Sequence, residues 1–169
     1  MHHRETGSGA PVVFLHGNPT TSYLWRDVLP AVGAPGRLLA PDLIGMGDSG
    51  RPLIGYSFAD RADHLDAWFA ALGFDEVVLV GHDWGGALAF DFAARHPGWV
   101  RGVAVTETIV KPSAWAELPE DGRQLFRALR TPGAGERMVL DDNVFLRELL
   151  PGSTARGLAA AELEEYSRP

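Results

Sequence analysis

The chain has 169 residues, no cysteine and a formal net charge of −7. That length suits a domain with a real core. The absence of cysteine excludes disulfide and thiolate chemistry, and the acidic balance argues against nucleic acid, which needs a basic face. Hydrophobic residues are 46% and charged residues 22%, ordinary for a globular protein. No apolar run approaches the length of a membrane span. The start, MHHRETGSGAP, is polar rather than signal-like. A cytoplasmic chain with no membrane partner is therefore expected.

In chain order, MHHRETG can supply one edge strand. PVVFLHG (Pro11 to Gly17) reads as a buried strand closed by glycine. SYLWRDVL (Ser22 to Leu29) reads as a short helix ending near Pro30. RLLAPDL (Arg37 to Leu43) is a second apolar strand, followed by the glycine-rich IGMGDSGRP. Ser57 is placed as an N-cap. Phe58, Ala62, Leu65, Trp68, Phe69 and Leu72 then follow at helical spacing, and Gly73 stands where a helix-ending glycine belongs. EVVLVG (Glu76 to Gly81) is a third strand, leading into an apolar helix that stops at His96-Pro97. VRGVAVTE (Val100 to Glu107) is a fourth.

Continuously apolar strands alternating with helices imply a parallel sheet covered on both faces, an α/β fold. After Glu107 the texture changes. Pro112, Pro119, Pro132 and Pro151 interrupt short helical stretches such as Gly122 to Arg130 and Val144 to Leu150, and no further buried strand is seen. The change of texture predicts an α/β core over residues 1–110 and a small helical lid over 111–169, which the resemblance described below makes a partial core and part of a cap.

Gly45 to Gly50, GMGDSG, matches G-x-G-x-x-G, but Arg51-Pro52 follows where a phosphate-binding helix should open. A glycine-rich loop leaving a strand is the better reading, and no nucleotide cofactor is expected. The histidines, at 2, 3, 16, 64, 82 and 96, show no metal-ligand grouping. His64 shares its helix with Asp60, Asp63 and Asp66, as a solvated face also would, and no metal is expected.

VGHDWGGALAF (Val80 to Phe90) carries more. An apolar strand turns through Gly81 and Gly85 into an apolar helix, as in the G-x-S-x-G nucleophile elbow, but Asp83 holds the serine's place. Asp83 could merely cap the helix. Two other segments weigh against that reading. His16-Gly17 ends an earlier strand, where such folds build half of an oxyanion hole. Glu107 ends the next strand, where a carboxylate can orient a histidine.

HGNPTTSYLWR (His16 to Arg26), PDLIGMGDSG (Pro41 to Gly50), VGHDWGGALAF and VAVTETIVKP (Val103 to Pro112) stand in the order found in haloalkane dehalogenases, which the chain resembles over nearly its whole length. The resemblance implies the α/β-hydrolase fold, with Asp83 as nucleophile, Asn18 and Trp84 as halide-binding residues and Glu107 as catalytic acid. Phe126 and Phe145 fall at substrate-pocket positions of the lid, and Ser153 near the tunnel mouth. Thr21 and Lys111 depart from the pattern. A small halogenated hydrocarbon, water and a halide ion are the implied partners.

The chemistry suits a carboxylate. An sp³ carbon bearing a halogen is attacked from behind as halide leaves, and aspartate is already ionised at neutral pH. The indole N–H of Trp84 and the amide of Asn18 are neutral donors for the departing anion. Hydrolysis of the resulting ester needs a general base, a histidine that the family carries after the lid. None of the six histidines holds that position. The chain is therefore expected to be a fragment, inactive in turnover, with an uncovered sheet edge at Val100 to Val105. An epoxide hydrolase of the same fold is the closest rival. It would need lid tyrosines, of which only Tyr166 is present, and Asn18 and Glu107 favour the dehalogenase. Fluoroacetate dehalogenases typically place Arg where Trp84 stands. A non-catalytic remnant is the reading of a different class.

Overall fold

The structure is a computed structural model and describes residues 1–33, 36–111 and 114–168. It divides into two units, Met1–Val110 with Arg168, and Lys111–Ser167. Pro112, expected as a helix breaker, lies outside the described residues, as does Pro169.

The first unit is built on a sheet of β1 (His3–Gly7), β2 (Pro11–Leu15), β3 (Arg37–Pro41), β4 (Val77–Asp83) and β5 (Val100–Thr108). The strand order is β1-β3-β2-β4-β5. β1 runs antiparallel to β3, and every other neighbouring pair is parallel. The helices are α1 (Val28–Ala31), α2 (Phe58–Leu72) and α3 (Trp84–Arg95).

Strand side chains alternate between faces, and both faces of the central strands are covered. On one face Val13, Leu15, Leu39 and Leu79 pack with Leu65 and Phe69 of α2 and Leu88 and Phe92 of α3. On the other, Phe14, Leu38 and Ala40 meet Trp25 and Leu29. Each large apolar side chain fully buried in this way contributes about 1.5–3 kcal/mol. β5 differs, because Val100 and Val103 pack on the first cluster while Val105 and Thr106 are exposed. Among the described residues β5 pairs only with β4, so its outer edge is open.

Helix α2 has the predicted bounds. Ser57 Oγ accepts from the Asp60 N–H, the Asp60 carboxylate accepts from the Ser57 N–H, and Gly73 closes the helix at φ 65°. The Ser22 to Leu29 expectation needs correction. A 3₁₀ turn over Ser22–Trp25 precedes a single α turn, and Pro30 sits inside α1 rather than after it. Proline is tolerated there because first-turn N–H groups have no intrahelical acceptor.

The second unit contains α4 (Glu120–Leu129), α5 (Ala134–Glu136), π-helical turns at Arg137–Asp141 and Phe145–Leu149, α6 (Leu150–Gly152) and α7 (Ala160–Tyr166). Gly135 lets α5 approach α4 closely, since a Cβ there would strike the Leu129 carbonyl. No described helix is long and apolar enough to cross a membrane.

Candidate active site

The elbow forms where β4 meets α3. Its glycines are required by close approach. A Cβ on Gly81 would strike the Gly86 backbone, and one on Gly85 would strike the Leu15 carbonyl. Asp83 holds φ 51°, ψ −124°, outside the regions open to most non-glycine residues. Such strain at a strand–helix junction marks functional positions. Asp83 stands at the N-cap position of α3 yet makes no side-chain cap hydrogen bond. The structure therefore departs from the capping alternative. Instead, Asp83 Oδ2 accepts the Asn18 backbone N–H at 2.9 Å. Oδ1 has no partner among the described residues.

Gly17 makes that bond possible, because any Cβ there would occupy the space of the Asp83 carboxylate. The loop is fixed from behind by His16, which is fully buried. Its Nδ1 lies 2.9 Å from the Gly17 carbonyl, and its Nε2 accepts the Leu43 N–H at 2.9 Å. The ring is thus neutral with its proton on Nδ1, and burial lowers its pKa to about 4 against a raising contribution from Gly17. The glycine-rich loop folds around Asp42, whose carboxylate accepts from the Ser22 N–H, the Asp48 N–H and His2 Nδ1. Burial works to raise the Asp42 pKa, but these donors outweigh it and hold it below the ordinary range. His2, Asp42 and Asp48 bring potential ligand atoms within 4.8 Å of one another. Their mutual hydrogen bonds account for that closeness.

Asn18 and Trp84 line one cavity of about 260 Å³, together with Leu43, Met46, Phe58 and Arg61. Trp84 is 43% exposed and packs its ring 5.9 Å from that of Phe58. Glu107 lies at a bulge. The register passes from His82 opposite Thr106 to Asp83 opposite Thr108, leaving Glu107 as the extra residue at φ 46°. Bulges beside active sites re-aim side chains. Glu107 is exposed, with no polar partner among the described residues. Phe126 and Phe145 both belong to the second unit. Phe126 is partly exposed under the Arg130 guanidinium, 5.6 Å from its ring, and Phe145 is half-buried.

Thr108 was not singled out by sequence pattern. Its hydroxyl donates to the Asp83 carbonyl at 2.6 Å and fills the space left by Gly86. Only strand pairing brings these residues together, so no local sequence signal marks it. Among the described residues no histidine ring hydrogen-bonds Asp83. His82 Nδ1 is buried without a partner among the described residues, His64 Nδ1 lies 2.7 Å from the Asp60 carbonyl, and His96 lies beside Asp66.

This strand–elbow–helix with a side chain held at the carboxyl edge of a mostly parallel sheet defines a class of hydrolases. The chain belongs to the α/β-hydrolase fold family, whose sequence pattern matches residues 10–165. Within that family its relatives include haloalkane dehalogenases. A haloalkane dehalogenase of Sphingobium indicum is 49% identical, with 100% of this chain matched to 58% of that protein. One from Mesorhizobium japonicum is 47% identical, covering 100% and 56% respectively. The crystal structure of a haloalkane dehalogenase from Bradyrhizobium elkani superposes with a TM-score of 0.93 at 50% identity, over 97% of this chain and 58% of that one. A crystallised ancestral haloalkane dehalogenase gives 0.94 at 47%, over 98% and 59%. The chain thus spans less than two thirds of the length of these relatives.

Proposed function

We propose that this chain carries the halide-displacing half of a haloalkane dehalogenase. The observation that carries the reading is the Asn18 N–H on Asp83 Oδ2. It divides the carboxylate, with Oδ2 held by a backbone donor and Oδ1 left as nucleophile. Oδ1 attacks the halogen-bearing carbon from behind. A C–O bond forms, the C–halogen bond breaks, and halide leaves toward the Trp84 indole N–H and the Asn18 amide. The product is an alkyl ester of Asp83. In the second step water adds to the ester carbonyl carbon, and the backbone N–H groups of Asn18 and Trp84 receive the developing oxyanion. Collapse releases the alcohol and restores the carboxylate.

The second step needs a base to take a proton from water. We assign Glu107 to orient that base, and place the base in polypeptide outside these 169 residues. The unit Lys111–Ser167 is assigned as part of a cap, and Phe126 and Phe145 as its substrate-pocket residues. The displacement requires no cofactor. The names of the relatives support the dehalogenase over the epoxide hydrolase.

The test is intact mass and peptide mapping after incubation with 1-bromobutane. One butyl adduct on Asp83, absent in Asp83→Asn, is expected. No adduct on Asp83 would overturn the nucleophile assignment. Sustained bromide release by the 169-residue chain would overturn the placement of the base.

A further inference from the structure

We infer that Arg61 forms a carboxylate-binding subsite in the cavity lined by Asn18 and Trp84, which selects haloalkanes carrying a terminal carboxylate. The inference rests on Asp83 displacing halide, and it names the substrate class of that same site.

Arg61 lies in the first turn of α2 and lines the cavity shared by Asn18 and Trp84. The guanidinium donates through Nη1 to the Ile44 carbonyl at 3.3 Å and to Met46 Sδ at 3.4 Å. Both acceptors are neutral. Nε and Nη2 have no acceptor among the described residues, and no carboxylate forms an ion pair with Arg61 there. The adjacent acid is already engaged, because Asp60 Oδ2 accepts the Ser57 N–H at 2.8 Å and the Ser57 hydroxyl at 2.7 Å. Arg95 and Arg37, by contrast, sit on the carboxylates of Asp66 and Glu5. Burial draws the Arg61 pKa below its ordinary value.

Asp60 and Tyr56 attract this half-buried cation without pairing with it, and two neutral acceptors on one nitrogen replace only part of the hydration that burial removes. An incoming carboxylate recovers it, and the guanidinium fork presents paired donors matched to two carboxylate oxygens. The same cavity is lined by the proposed halide donors Asn18 and Trp84 and by the apolar side chains of Leu43, Met46 and Phe58. A short alkyl chain with halogen at one end and carboxylate at the other meets the halide donors and the guanidinium together. A volume of about 260 Å³ suits such a molecule and lies below the range of drug-sized pockets. The carboxylate is a bystander in the displacement and is unchanged by it.

Two measurements on the 169-residue chain test this. The first is butyrate binding, followed by calorimetry for the wild type, Arg61→Gln, Arg61→Lys and the surface control Asp63→Asn. The second is the ratio of Asp83 adducts formed when 4-bromobutyrate and 1-bromobutane compete at equal concentration. The wild type is expected to favour the bromoacid. Arg61→Gln should weaken butyrate binding and lower the adduct ratio about tenfold or more, as expected for a charge-assisted pair. Arg61→Lys keeps the charge but not the fork, so it should show a smaller loss, and it reports even where the Gln variant does not fold. Asp63→Asn should match the wild type. Butyrate binding and adduct ratios indifferent to both Arg61 variants would overturn the subsite while leaving the displacement intact. Arg61-dependent butyrate binding with no adduct from either reagent would sustain the subsite and overturn the displacement.

Discussion

The Asn18 backbone N–H reaches the Asp83 carboxylate at 2.9 Å, although the residues stand 65 positions apart. The bond joins the loop after β2 to the elbow after β4, two strands paired in parallel. It makes the Asp83 oxygens inequivalent before any substrate arrives. The loop can come this close only because residue 17 has no side chain.

Gly17→Ala should therefore damage the site more than its single methyl suggests. The added Cβ would overlap the Asp83 carboxylate, so either the loop or Asp83 must shift. Overpacking of this kind costs about 1–3 kcal/mol. Misplacing a nucleophile by about 1 Å costs up to about a hundredfold in rate. The expected outcome is a lower urea midpoint and Asp83 alkylation by 1-bromobutane slowed about tenfold to a hundredfold. An alkylation rate within twofold of the wild type would show that the loop yields freely.

Thr108→Val separates hydrogen bonding from packing at the same elbow. The Thr108 hydroxyl donates to the Asp83 carbonyl at 2.6 Å, and its bulk fits over Gly86. Valine keeps the shape and removes the donor, leaving the carbonyl of a strained residue with one bond fewer. The expected cost is about 1 kcal/mol, read as a shift in urea midpoint, with slower alkylation. Thr108→Ser keeps the donor, so it should retain the alkylation rate better than valine does.

His16 sets an acid limit on folding. Its pKa in the folded chain is about 4, against about 6.5 in an unfolded chain. Between these values the unfolded state binds a proton that the folded state refuses. Stability therefore rises with pH across that window and is lost as pH falls from about 6.5 toward 4. The ceiling is about 3 kcal/mol for a shift of this size. Asp42 acts in a lower window. Its depressed pKa gives stability that is present above the ordinary carboxylate value and lost as pH falls through the folded one. Urea midpoints measured from pH 7 to 4.5 should fall for the wild type. They should flatten in His16→Gln, which can still donate to Gly17 and accept from Leu43. An equal slope in both would remove His16 as the cause.

The parts of this fold that announce themselves locally were legible in the chain. The Ser57 cap, the helical spacing to Leu72 and the left-handed Gly73 gave α2 both ends. The glycines around Asp83 gave the elbow, because close backbone approach admits few other residues. What escaped depends on two segments meeting. The bulge at Glu107 is a mismatch of register between β4 and β5, and neither strand encodes it alone. Thr108 matters through Gly86 on a helix that precedes it. Arg61 carries no local signal, because the loop bearing Ile44 and Met46 meets it only in the fold. The π-helical turns of the second unit have the spacing of neither an α-helix nor a strand.

The open edge of β5 should govern the solution behaviour of the chain. Its outer backbone groups are unpaired among the described residues, Val105 is 38% exposed, and Val110 just beyond the strand is 70% exposed. An apolar, unpaired edge is a template for pairing with another strand. Concentration-dependent self-association is expected in sedimentation velocity and light scattering. Val105→Lys with Val110→Lys should reduce it, since charge on an edge strand opposes docking. The choice of lysine makes the result decisive. It moves the net charge of −7 toward zero, which by itself favours association. A fall in association against that trend must come from the edge, whereas unchanged or increased association would place the contact elsewhere.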